Sequence, residues 1–133
     1  SWCPMGKAQR EKGKRGERQL RDLLRAAGFD SAYRTQQFSG ACPEGSADVK
    51  CPQLPSIHWE VKNVEKLSIW PAMAQSLADA AAGQTAVVAH TKNNYGFLVT
   101  LRAEDFLDIL RQSDLVAQPE PKNLQLERQE VVQ

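Results

Sequence analysis

The stretch Asp48-Val49-Lys50-Cys51-Pro52-Gln53-Leu54-Pro55-Ser56-Ile57-His58-Trp59-Glu60-Val61-Lys62 decides how this chain is read. In its second half Ile57, Trp59 and Val61 alternate with His58, Glu60 and Lys62, the period of a strand that buries one set and holds the other on the opposite face. One face is core and the other is chemistry. Asp48, Glu60 and the Lys62 ammonium crowded onto one sheet surface would repel or mispair unless something gathers them. A hard divalent cation with oxygen ligands is the simplest such partner, which points to metal-dependent hydrolysis of a phosphodiester.

Working outward, Pro52 and Pro55 make the turn into this strand (56–62), and a shorter strand (47–51) leads into the turn. Upstream, Leu20, Leu23, Leu24 and Ala27 recur at helical spacing over 16–27, with Gly28 as the stop. Glu17 falls on or beside that apolar stripe, where an acid is a poor core filler. A weak strand at 32–34 and a loop through Ser39, Gly40, Pro43 and Gly45 follow. Downstream, Pro71 suits the first turn of a helix ending at Ala82. Its apolar face is Trp70, Met73, Ala74, Leu77, Ala78 and Ala81, so Trp70 on this face and Trp59 on the strand are both expected to be core residues. Strands at 86–89 and 95–101 and a helix at 103–111, with Phe106, Leu107 and Leu110 inward, complete the order α-β-β-β-α-β-β-α. The expected fold is α/β, a central mixed sheet flanked by helices.

At 133 residues the chain is large enough for one core. It divides into a basic amino-terminal arm (1–12), the domain proper (13–112) and an acidic, mobile tail (113–133). Ser1–Pro4 precede Met5, read as a remnant outside the domain, and lack a signal-peptide pattern. With 41% hydrophobic and 25% charged residues the composition is that of a globular protein. Its apolar runs are too broken to span a membrane, so a cytoplasmic setting, in a bacterial, archaeal or phage-infected cell, is expected. The net charge of +1 is unevenly spread: residues 6–34 hold nine bases and four acids, and residues 101–133 four bases and seven acids. One basic surface beside an acidic tail suits a polyanionic partner.

Three cysteines, Cys3, Cys42 and Cys51, leave one thiol over in any disulfide scheme, as in a reducing compartment. Cys42, Cys51 and His58 do not have the short spacing that structural zinc prefers, and no fourth ligand is evident. His58 shares a face with Glu60 and reads as a bystander or substrate contact, and His90 as a structural residue near a strand end.

Glu17 on an early helix, Asp48 at a strand entrance, Glu60-Val61-Lys62 on the next strand and Gln75 on the following helix resemble the PD-(D/E)XK nuclease superfamily. Within it, Gly16-Glu17-Arg18 with the leucines that follow, Phe29 after Gly28, and Ser39-Gly40 ahead of Asp48 are similar to the archaeal type of Holliday-junction resolvase and its phage relatives. The likeness covers roughly residues 13–100. Ala47 stands where the proline that names the superfamily is usual.

The resemblance implies a restriction-endonuclease-like core and a Mg²⁺- or Mn²⁺-dependent DNA endonuclease without a small-molecule cofactor. Asp48, Glu60 and the Val61 carbonyl would be metal ligands, joined directly or through water by Glu17. Lys62, about 6.6 Å beyond Glu60 on the same strand face, would orient water or stabilise charge on the phosphorane. Gln75 would hold water or substrate. Arg10, Lys12, Lys14, Arg15, Arg18, Arg34 and Ser39 would meet phosphates. A branched or junction DNA substrate and a two-fold homodimer are expected with it. Two alternatives stay open: a nuclease of this fold acting on ends, mismatches or single strands, and a silent nucleic-acid-binding or assembly module.

Overall fold

The computed structural model describes residues 6–35 and 47–119; Ser39, Cys3, Cys42 and the tail from residue 120 lie outside them. In chain order the elements are α1 (Lys7–Ala26), β1 (Tyr33–Arg34), β2 (Val49–Lys50), β3 (Ile57–Asn63), α2 (Ile69–Asp79), β4 (Thr85–Thr91), β5 (Leu98–Thr100) and α3 (Ala103–Arg111). This is the order that the apolar periodicities imply. Two compact units divide the chain, one reaching Arg102 and the other beginning at Ala103.

The first unit is built on a mixed five-stranded sheet in the order β1-β2-β3-β4-β5. Neighbours pair antiparallel except β3 and β4, which run parallel from Ile57 opposite Thr85 to Asn63 opposite Thr91. Parallel neighbours need a crossover, and α2 supplies it. One sheet face packs Val49, Trp59, Val61, Val87 and Ala89 against Leu20 and Leu24 of α1. The other packs Ala86 and Val88 against Ala72 and Met73 of α2. The α/β expectation of a central mixed sheet with helices on its faces is therefore met in this unit.

Because α2 covers the second face, β3 is buried on both sides. The alternation in its sequence marks two different environments rather than core and solvent: His58 and Glu60 are only 2% and 3% exposed. Polar groups so placed must find partners or a ligand, which makes this face the place to look for chemistry.

Several local expectations are corrected. Helix α1 starts at Lys7, nine residues before the leucine pattern is visible, because its first turns hold good helix formers without an apolar stripe. Its buried residues are Gly16, Glu17, Leu20 and Leu24, while Leu23 is exposed. Helix α2 runs from Ile69 to Asp79, not from Pro71 to Ala82, and buries Ala72, Met73 and Ser76. Small residues let it approach the sheet, and the Ser76 hydroxyl donates to the Val87 carbonyl at 2.8 Å. Trp70, expected in the core, is 83% exposed and Leu77 lies at the rim. The face is turned because close approach outweighs side-chain size. In the second unit, α3 has Glu104 and Asp105 in its first turn and Arg111 in its last, as the helix dipole favours. Phe106 and Leu107, expected inward, are exposed; an apolar stripe shows which side can be covered, not that it is.

Candidate active site

Asp48 stands at the entrance to β2, where the chain is pinned from both sides. Thr35 donates its N–H to the Asp48 carbonyl at 3.2 Å and its hydroxyl to the Ala47 carbonyl at 2.7 Å. The Asp48 N–H donates to the Trp59 carbonyl at 3.3 Å. The carboxylate is held in turn: Oδ2 accepts the Val61 N–H at 2.9 Å. In a strand the N–H and C=O of one residue point the same way, so the Val61 carbonyl also faces the Asp48 side.

Glu60 projects from β3 on the face that α2 covers. Its Oε1 lies 3.3 Å from His58 Nε2. Asp48 feels this carboxylate strongly. Burial, first, and then the negative charge of Glu60 push the Asp48 pKa up to about 8, with Glu17 adding to the rise and the Val61 N–H opposing it. Asp48 therefore has two acids near enough to disfavour its own ionisation. Such a set favours the binding of either a proton or a cation.

Glu17 arrives from α1, 8% exposed. Arg34 of β1 donates to its Oε1, through Nε at 3.1 Å and Nη2 at 3.0 Å. Burial raises the Glu17 pKa and the Arg34 guanidinium works against that rise. Gly16 makes the approach possible: a Cβ there would lie 2.9 Å from Asn63 Cβ, so the bare backbone lets α1 sit directly on the end of β3. Asn63 Nδ2 reaches back to the Lys12 carbonyl at 2.9 Å and ties the two elements together.

Lys62 follows Glu60 on the same strand face, and its Nζ donates to Gln75 Oε1 on α2 at 3.0 Å. The residues singled out from sequence lie in three local groups: Glu17 with Arg34, Asp48 with Val61 and Glu60, and Lys62 with Gln75. Among the described residues, the tightest potential metal-ligating group is a different one, His58, Glu60 and Asp79, whose ligand atoms lie within 4.8 Å of one another.

The basic residues have unequal positions. Lys12 pairs with Glu65 at 3.5 Å and Lys14 with Glu11 at 3.6 Å, both partly exposed, whereas Arg34 is committed to Glu17. Arg10 and Arg15 are exposed. An open cleft of about 620 Å³ runs beside α1, lined by Lys14, Arg18, Arg21, Arg25, Arg34 and Tyr33 among others. Arg21 and Arg25 were not among the expected phosphate contacts, although the spacing of Lys14, Arg18, Arg21 and Arg25 by four, three and four residues is itself a helical stripe. Arg34 joins this cleft to the acids through Glu17.

No helix among the described residues is long and apolar enough to cross a membrane. No family model matches the chain and no curated protein matches it. A solved structure does: Hjc, a Holliday junction resolvase from the archaeal hyperthermophile Archaeoglobus fulgidus, is 25% identical over 67% of this chain and 76% of that one, with a TM-score of 0.51. The likeness supports a nuclease function. In fold the chain is similar to the PD-(D/E)XK nuclease superfamily, and within it to an archaeal Holliday junction resolvase.

Proposed function

We propose that the protein is a divalent-cation-dependent DNA endonuclease that cuts branched or junction DNA. The observation that supports this most directly is geometric: Asp48, held by the Val61 N–H at 2.9 Å, has the buried acids Glu60 and Glu17 near it, and Arg34, bonded to Glu17, lines a basic cleft. Asp48, Glu60 and the Val61 carbonyl form an all-oxygen donor set suited to Mg²⁺ or Mn²⁺. Such an ion supplies Lewis-acid polarisation of a phosphate oxygen and a more acidic bound water.

The chain's own residues do the rest. The Val61 N–H fixes the Asp48 carboxylate, and Arg34 keeps Glu17 oriented toward the acids. Lys62, steadied by Gln75, presents an ammonium where negative charge develops on the phosphate, and it can donate to the oxygen of a bound water. Lys14, Arg18, Arg21 and Arg25 meet backbone phosphates, with Arg10, Lys12, Arg15 and Ser39 as further contacts. Phosphate contacts position DNA without reading sequence, which fits recognition by shape. Symmetric cutting of a junction would take a homodimer.

The test is incubation with four-way, flap, linear and single-stranded DNA in Mg²⁺, Mn²⁺ or chelator, with Glu60→Ala alongside. Chelator-sensitive cutting of four-way DNA, lost in Glu60→Ala while DNA binding persists, supports the proposal. Cutting of linear or single-stranded DNA in preference moves it to the end- or strand-specific alternative. Binding without cutting in any metal overturns the nuclease reading.

A further inference from the structure

We infer that Glu60 also belongs to a second cation site, formed with His58 and Asp79 on the α2 side of the sheet, which takes a borderline transition-metal ion such as Zn²⁺. His58 and Glu60 are neighbours on one face of β3, and their side chains are 3% and 4% exposed. Asp79 ends α2 and brings a second carboxylate to them. Two carboxylates and an imidazole whose ligand atoms all lie within 4.8 Å of one another make a ligand set.

The separation of the two β3 ligands suits an ion. With ligands about 2.0 to 2.2 Å from a tetrahedral cation, neighbouring ligand atoms stand roughly 3.4 Å apart. The His58 Nε2 to Glu60 Oε1 separation is 3.3 Å. Access is also present: His58 and Asp79 both line a cavity of about 320 Å³ with Lys50, Gln84 and Tyr33, which has room for a water as fourth ligand. An imidazole among the donors favours Zn²⁺, or Cu²⁺, Fe²⁺ or Ni²⁺, over Mg²⁺, Ca²⁺ or Mn²⁺. The cysteine-based zinc set that the sequence raises is not this one: Cys51 lies in the core on the α1 side, with Sγ 3.6 Å from Ser31 Oγ.

This site shares Glu60 with the proposed nuclease site but uses neither Asp48, Lys62 nor Glu17, so the two ions would compete for one carboxylate. The chain has two histidines, which gives a direct probe. In the full-length protein, the ring nitrogens of His58 and His90 are followed by NMR while Zn²⁺ is added in buffer containing Mg²⁺. The expected result is a metal-bound His58 ring after one equivalent, with His90, bonded to Thr100 Oγ1 at 2.8 Å, unmoved. Asp79→Asn, which takes away a charged ligand, should weaken this response by at least about 10- to 100-fold, the loss that even an outer-shell partner brings, and Asp48→Asn should leave it in place. An unchanged His58 ring in excess Zn²⁺, or an Asp79→Asn titration identical to wild type, overturns the site. Mg²⁺-dependent cutting that survives that failure leaves the nuclease proposal untouched, and Zn²⁺ binding without any cutting leaves the second site standing alone.

Discussion

The Val61 N–H donates to Asp48 Oδ2 at 2.9 Å, so the acid at the start of β2 is fastened to the middle residue of the Glu60-Val61-Lys62 triplet. A single hydrogen bond thereby sets the spacing between two carboxylates that come from separate strands. It lowers the Asp48 pKa, yet burial and Glu60 outweigh it and the result is about 8.

That value fixes how stability should depend on pH. The ordinary Asp value is 3.8, so between roughly pH 4 and pH 8 the folded chain holds a proton on Asp48 that the unfolded chain has lost, and stability falls as pH rises through this window. Asp48→Asn removes the titrating group and keeps the shape. Thermal melting from pH 5 to pH 8.5 should show a wild-type Tm that drops several degrees more than that of Asp48→Asn. Millimolar Mg²⁺ should recover much of the loss at the alkaline end, in wild type alone. Parallel curves for the two proteins would mean that Asp48 is ionised throughout.

Lys62 and Gln75 make a second pair whose members should differ in weight. The Lys62 ammonium is the charge, and Gln75 positions it from α2 at 3.0 Å. Lys62→Ala should slow single-turnover cutting by about 10² to 10³-fold, the usual cost of one preorganised electrostatic donor. Gln75→Ala should cost about tenfold or less and leave DNA affinity unchanged. Equal losses in the two variants would make Gln75 a direct participant rather than a positioning residue.

Two glycines of α1 should respond to alanine with opposite signs. At Gly13 an added Cβ meets nothing within 4 Å, so Gly13→Ala should stabilise by about 0.5 to 1 kcal/mol through helix propensity. At Gly16 the same Cβ meets Asn63 Cβ at 2.9 Å. That neighbour sits on β3 backbone and cannot swing aside, so overpacking of about 1 to 3 kcal/mol outweighs the propensity gain. Urea unfolding measures both. Because Asn63 adjoins Lys62, Gly16→Ala should also depress cutting beyond its effect on stability.

The contrast between those glycines shows what the sequence could and could not reveal. Element order, the mixed sheet and the pairing of Asp48 with the Glu60 strand were legible, since alternation and helical spacing are local. The burial of His58 and Glu60 was not, because it depends on α2 folding over that face, and α2 presents Ala72 and Ser76 where the larger Trp70 and Leu77 looked the better core. A site role for Asp79, a polar-face residue of α2, was not legible for the same reason: its nearness to His58 is a tertiary fact. Arg21 and Arg25 were visible as cations, but only the position of β1 beside α1 makes the cleft that gathers them with Arg34.

That cleft leads to a prediction about salt. Lys14, Arg18, Arg21 and Arg25 lie along about 16 Å of helix, at 1.5 Å per residue. If each neutralises a phosphate, affinity for four-way DNA should fall steeply with salt, with a log–log slope near −0.9 for every phosphate contacted. Arg21→Gln together with Arg18→Gln should weaken binding across all DNA sequences alike and flatten the slope by about 2. Arg34→Gln should behave differently. Its guanidinium is committed to Glu17 at 3.0 Å, so its removal takes away the charge that opposes the rise in the Glu17 pKa. It should therefore change metal dependence and cutting more than the salt slope. A slope reduced by Arg34→Gln as much as by Arg18→Gln would show that Arg34 leaves Glu17 for the DNA when the complex forms.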